Sequence, residues 1–183
     1  MKLKFKKKNK GFILVEILLV VGFIALASIG IYAVYNKAVT TAQAQQEFTN
    51  LQTIVSGIQQ LYANQQNFNG LTTEVVRNAR IAPQQMHTGG PTGLVNSFGG
   101  KVEINQYGVV AFKMQTTNIP PDVCVKLVSL AHSSPDFEVI WVAEEMTVKY
   151  GRNSNLNIVN LTELCNFEYE DSAIVDFLVL KNR

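Results

Sequence analysis

The residues best suited to chemistry are few and unevenly placed. Glu16 is the only charge within residues 12–35, FILVEILLVVGFIALASIGIYAVY. A carboxylate inside such a run costs about 2.5 to 3.5 kcal/mol on insertion scales, so it marks a function that a plain anchor does not need. It follows Phe12 by four residues in the junction Lys10-Gly11-Phe12-Ile13-Leu14-Val15-Glu16. Cys124 and Cys165 are the only cysteines, His87 and His132 the only histidines, and neither histidine has a zinc-like spacing from a cysteine. No Ser-His-Asp elbow, H-E-x-x-H motif or nucleophile paired with a base is present, so the sequence predicts neither an enzyme nor a cofactor or metal site. The cluster Thr88-Gly89-Gly90-Pro91-Thr92-Gly93 matches no phosphate-cradle pattern and reads as a surface loop. Glu144, Glu145, Glu168 and Asp171 lack calcium-loop spacing and read as solvated acids.

The element that must position Glu16 is a helix. About 20 apolar residues span a bilayer, and residues 12–35 supply 24. Ahead of them stand Lys2, Lys4, Lys6, Lys7, Lys8 and Lys10 with no acid among them, which keeps this end cytoplasmic and sends the rest of the chain across. A secretory signal would have a shorter apolar run and a small-residue cleavage site beyond it, and nothing after Tyr35 fits that plan. An uncleaved signal anchor is the bland alternative, and Glu16 argues against it.

The Gly11-Phe12 junction with Glu16 resembles the processing site of type IV prepilins. The resemblance implies that a prepilin peptidase cuts between Gly11 and Phe12 and N-methylates Phe12, retaining the apolar helix as an assembly element. The cut would leave a positive amine on Phe12. In a filament, Glu16 of one subunit would neutralise the Phe12 amine of a neighbour, a pairing that strengthens as the local dielectric falls. Residues 12–66 contain no proline, and with Gly22 and Gly30 this looks more like the type IVb branch.

Past the apolar run the pattern narrows to a stripe of Phe48, Leu51, Ile54, Val55, Ile58, Leu61 and Tyr62 at three- and four-residue spacing, which predicts one amphipathic helix continuing to about Asn64. At 1.5 Å per residue the whole helix would extend roughly 80 Å. Asn67-Phe68-Asn69-Gly70 ends it, and residues 71–81 read as a short helix with a hydroxyl cap and an early acid. Together with the Gly-rich turn and Asn96-Ser97-Phe98-Gly99-Gly100-Lys101-Val102-Glu103-Ile104, this stretch resembles the PilS-like major pilins. Strand candidates are 100–105, 108–116, 137–143, 146–150 and 173–180, rich in β-branched and aromatic residues. Pro120-Pro121-Asp122 should start a helix through residues 123–131 that carries Cys124.

The expected fold is therefore α+β, a long N-terminal helix packed on an antiparallel sheet, in the manner of a pilin. Its parts are a basic leader (1–11), the membrane and assembly half of the helix (12–35), the amphipathic half (36–66) and a globular head (67–183). Since the head faces an oxidising compartment, Cys124 and Cys165 are expected to form one disulfide. In the pilin reading it bounds an exposed variable region, 124–165.

The chain carries 16 basic and 14 acidic residues, but removing the six leader lysines leaves ten against fourteen, a net of −4. The basic balance thus belongs to the leader and gives no argument for nucleic-acid binding by the head. The resemblance implies a structural subunit held in the inner membrane before assembly, then in an extracellular pilus used for adhesion, aggregation or conjugative DNA transfer. Its partners would be copies of itself, the prepilin peptidase and the inner-membrane assembly machinery. A minor pilin or secretion pseudopilin would use the same helix, and a membrane-anchored binding protein or enzyme would keep its leader.

Overall fold

In the computed structural model, residues 11–87, 90, 93–142, 146–150, 154–166 and 172–181 are described. The leader lysines, Thr88, Gly89, Pro91, Thr92, Glu144, Glu145, 151–153, Glu168 and Asp171 lie outside these residues. The chain divides into two units, Met1–Val39 and Thr40–Arg183.

Helix α1 (Gly11–Leu61) runs unbroken because nothing in it removes a backbone donor: it contains no proline. Its C-terminal part belongs to the larger unit, where Ala44, Leu51, Ile54, Val55 and Ile58 are buried at helical spacing. The stripe departs from expectation at its end, since Leu61 is 47% exposed. The helix also stops at Leu61, short of Asn64 and of the boundary at 66. There the ladder tightens to three-residue turns, Ala63 N–H donating to Gln60 O at 3.2 Å and Gln65 N–H to Tyr62 O at 3.0 Å. Lys181 Nζ donates to the Tyr62 carbonyl at 2.7 Å, placing a cation beside the negative end of the helix.

Helix α2 (Thr73–Asn78) is shorter than the expected 71–81. Thr72 Oγ1 caps it by accepting from Val75 N–H at 3.3 Å. Arg80, at φ 54°, turns the backbone left-handed and ends it before Ile81. A single 3₁₀ turn (Gln84–Met86) follows.

Among the described residues six strands form one antiparallel sheet: β1 (Leu94–Val95), β2 (Lys101–Tyr107), β3 (Ala111–Ile119), β4 (Val139–Val142), β5 (Met146–Tyr150) and β6 (Ala173–Leu180). Their order is β1-β2-β3-β6-β4-β5, so the last strand is inserted between β3 and β4. The candidate strand 108–116 moves to Ala111–Ile119 because Gly108, at φ 66°, opens the hairpin that sets Tyr107 opposite Ala111. β1 was not expected, being only two residues long. Gly100 must remain glycine, since a Cβ there would strike the Thr117 carbonyl on β3.

Helix α3 (Pro121–Ser133) begins as expected, with Pro121 and Asp122 in its first turn. α3 and α1 contribute to the same core as Phe112, Met114, Ile140, Val142, Val175, Phe177 and Val179 of the sheet. Helix α4 (Ile158–Cys165) was not anticipated. Asn157 Oδ1 caps it, accepting from Val159 N–H at 3.1 Å and Asn160 N–H at 3.2 Å. The helix buries Leu161, Leu164 and Cys165.

Cys124 on α3 and Cys165, the last residue of α4, form the disulfide, with a Cα separation of 5.8 Å across 41 residues of chain. Closing a loop of that length stabilises a fold by about 4 kcal/mol in the chain-entropy model. The double variant Cys124→Ser with Cys165→Ser should therefore melt roughly 10 °C below the parent. Thermal denaturation followed by circular dichroism measures this; melts that coincide would show that the bond contributes nothing beyond the packing of α3 and α4.

Candidate assembly site

The N-terminal half of α1 is apolar and uncovered. Leu14, Val15, Leu18, Phe23, Ile24, Leu26, Ile29, Ile31, Val34 and Tyr35 are each at least 60% exposed. Leu14–Leu61 includes a stretch long and apolar enough to cross a membrane, by length and composition. A soluble monomer rarely shows a contiguous apolar surface of this extent, so burial here has to come from a bilayer or another chain. Gly22 makes the same point, because a Cβ on it would meet nothing within 4 Å. Its small size answers to no packing among the described residues.

Gly11, Phe12 and Glu16 fall in the opening turns of α1. Glu16 follows Phe12 by four residues, about one helical turn along α1. Glu16 is exposed, and no described residue pairs with it. The arrangement offers one carboxylate on an otherwise apolar stretch of helix.

The larger unit grips α1 through polar residues that the apolar stripe did not reveal. Glu47 is fully buried on the helix face between Ala44 and Leu51. Its Oε2 accepts from Ser97 N–H at 3.2 Å and from Ser97 Oγ at 2.9 Å. Asn50, one turn on, accepts at Oδ1 from the amides of Gln46 and Gln85, each at 3.1 Å. The signal was present in the sequence, since 44, 47, 51 and 54 share one face at three- and four-residue spacing. Apolar spacing alone does not mark a buried polar residue on that face. Lys126 of α3 also donates to Thr41 Oγ1. The Ser97 turn is itself ordered by Asn96, whose Oδ1 accepts from Phe98 N–H at 2.9 Å and Gly100 N–H at 2.8 Å.

A second polar knot lies in the disulfide-bounded region. Lys149 on β5 is 2% exposed, and its Nζ donates to the carbonyls of His132 at 2.9 Å and Ser134 at 2.8 Å, at the C-terminus of α3. The His132 ring lies 3.2 Å from Ser154 Oγ. Burial holds the His132 imidazole below its ordinary pKa, the Lys149 charge adds to this, and a backbone hydrogen bond with Ser154 offsets part of it. Among the described residues no group of three or more His, Cys, Asp or Glu side chains is placed to hold a metal.

A base whose pKa is lowered by folding favours the neutral form in the native state. Its contribution to stability is complete above the ordinary value of 6.5 and is lost as pH falls through the lowered one. Melting temperature should accordingly fall between pH 7.5 and pH 5, and His132→Gln should flatten that fall. Identical pH profiles for parent and variant would remove His132 from the account.

The comparisons with known proteins agree with this geometry. The profile of the family described as PilS N terminal matches residues 41–178. The major structural subunit of bundle-forming pilus from Escherichia coli O111:H- is 23% identical over 159 residues, covering 84% of this chain and 82% of that protein. The protein of the same description from Escherichia coli O127:H6 is 24% identical over 132 residues, covering 70% and 68%. The crystal structure of type IV b pilin from Salmonella typhi superposes with a TM-score of 0.56 at 16% identity, covering 73% of this chain and 97% of that one, a likeness of fold. With its profile match extending over most of the larger unit, the chain belongs to the PilS family of type IV pilins.

Proposed function

We propose that the chain is a structural subunit of a type IV pilus that polymerises through α1. The observation that carries this reading is the uncovered apolar half of α1, in a chain whose larger unit has a complete core of its own. Such a helix is stable only when copies or lipid surround it. The two relatives named as major structural subunits of bundle-forming pilus support a role as the major subunit. In this reading the subunit waits in the inner membrane and ends in an extracellular filament.

The finer steps rest on the first residues of α1. A prepilin peptidase hydrolyses the Gly11–Phe12 amide and the freed Phe12 amine is methylated. Removal of the lysine-rich leader takes away the charge that holds this end at the cytoplasmic face. On assembly, Glu16 of an incoming subunit meets the Phe12 amine of a neighbour among apolar side chains, where an unpaired charge is costly. That fixes a stagger between subunits as well as an attraction. The remaining partner is the inner-membrane machinery that extracts the subunit.

Mass analysis of the mature N-terminus should find methylated Phe12 as the first residue. A chain that keeps Met1 in sheared fibres would overturn the processing step, and absence of the chain from such fibres would overturn the subunit reading. Separately, Glu16→Leu should insert as well as the parent but assemble poorly. Breaking a buried pair costs about 3 kcal/mol or more, so fibre yield should drop at least about tenfold. Normal polymerisation of that variant would leave the proposed pairing without a role.

A further inference from the structure

The chain holds one Asn-Gly pair, Asn69-Gly70, in the link between α1 and α2. An asparagine followed by glycine is set up to react with its own backbone. The next residue's amide nitrogen reaches the side-chain carbonyl, and glycine has no Cβ to obstruct the approach. Whether a fold permits the reaction depends on exposure and on what holds the atoms involved. Both residues are exposed here. They form the centre of a β-turn closed by Leu71 N–H donating to Phe68 O at 3.0 Å, with Gly70 at φ 78°.

The reacting atoms are held unequally. Among the described residues nothing accepts from Gly70 N–H, the nucleophile once its proton is lost, and nothing accepts from Asn69 Nδ2, the group that must leave. Asn69 Oδ1, by contrast, accepts from Gln106 Nε2 at 3.0 Å. A donor aimed at this oxygen polarises the carbonyl and stabilises the negative charge that gathers there during attack. Gln106 is itself fixed, since its Nε2 also donates to Gly108 O at 2.8 Å and its backbone N–H to Leu71 O at 3.2 Å.

Asn96 supplies the contrast. It too precedes a small residue, Ser97, but it is only 5% exposed. Its Nδ2 donates to Thr116 Oγ1 at 2.9 Å and to Thr117 O at 2.6 Å, and its Oδ1 accepts from Phe98 N–H and Gly100 N–H. Attack at Asn96 would require these bonds to break; attack at Asn69 requires none of that kind.

We propose that Asn69 is a self-modifying site, which loses its side-chain nitrogen as ammonia and becomes a carboxylate, with Gln106 assisting. The Gly70 nitrogen gives up its proton and attacks Asn69 Cγ. The Cγ–Nδ2 bond breaks, Nδ2 takes up a proton and departs as ammonia, and a five-membered cyclic imide is left. Water then opens the imide at either carbonyl. Opening at Cγ gives aspartate; opening at the main-chain carbonyl gives isoaspartate, in which the backbone gains one methylene. Phe68 is fully buried and Leu71 is 2% exposed, so the turn is pinned at both ends and the extra length distorts it. Either product adds one negative charge at an exposed turn. On the reading of the chain as a filament subunit, a fibre would grow more acidic with age, although the reaction itself needs no filament.

The full chain in zwitterionic detergent is incubated in neutral and mildly alkaline buffers made with heavy-oxygen water. Peptides cut under acid conditions are then weighed against a sample taken at the start. The Asn69 peptide should gain three mass units, one from the exchange of amide for acid and two from the incorporated oxygen. The rate should rise with pH, because the nitrogen attacks without its proton. Asn69 should convert well ahead of Asn96 in the native chain. In urea the ratio of the two rates should shrink at least about tenfold as Asn96 loses its bonds. Gln106→Met, at an exposed position where the fold should survive, should slow the native reaction about fivefold. The proposal fails if Asn69 stays intact in the native chain after the urea-unfolded chain has fully converted there, or if the ratio is the same in both states. Loss of ammonia from Gln106→Met at the parent's rate or faster overturns the part given to Gln106.

Discussion

The packing of α1 on the inner face of the sheet is the interaction on which the other features depend. Leu51, Ile54, Val55 and Ile58 are each no more than 1% exposed, and shielding an aliphatic side chain of that size contributes about 1.5–3 kcal/mol. The platform they meet is not continuous in sequence. β6, the last strand, occupies the sheet's interior between β3 and β4, so the helix near one end of the chain rests on a surface completed by the other. Lys181, just past β6, then closes the arrangement by bonding the Tyr62 carbonyl where α1 ends and lying 5.1 Å above the Phe68 ring. Contacts of such sequence separation form late and cooperatively, which ties the order of the C-terminus to that of α1.

Polar contacts decide where on α1 this grip begins. Apolar burial alone would let a helix slide by a turn, because the stripe repeats. Glu47 and Asn50 do not repeat, and the bonds of Glu47 to Ser97 select one register. Leaving a carboxylate oxygen of Glu47 and the amide nitrogen of Asn50 buried without partners is a cost, and specificity of docking is what it offsets. In the disulfide-bounded region the same division holds. Cys124–Cys165 restrains α4 against α3, while Lys149 holds the carbonyls at the end of α3.

A pilin must present two different surfaces along one helix, and the residues show how. From Leu14 to Tyr35 the apolar side chains point in every direction, and no polar face exists to orient the helix at a water boundary. From Ala44 to Ile58 the apolar residues are restricted to one side, with Gln, Thr and Ser on the other. No proline interrupts the change, so a single backbone ladder carries both kinds of burial.

What the sequence determined by itself was whatever depends on near neighbours in the chain. The cluster of lysines before Gly11, the spacing of Gly11, Phe12 and Glu16, the Pro-Pro-Asp start of α3 and the runs that became β5 and β6 are all set within a few residues by propensity, charge and period. Even there the boundaries moved where a turn intervened, as at Arg80 and Gly108, because positive φ depends on how the segments on either side must meet. α4 was not expected, although Asn157 and the apolar spacing 158, 161, 164 and 165 carry its signal, because eight residues give too short a period to stand out from an exposed region. Only the tertiary structure decided that β6 would be interior, that Glu47 would find Ser97, that Lys149 would be buried against the end of α3, and that Asp176 would be buried with Lys113 bonded to one of its oxygens. Each of those outcomes pairs residues tens of positions apart, and a polar side chain's partner is chosen by which surfaces come together, which no local pattern encodes.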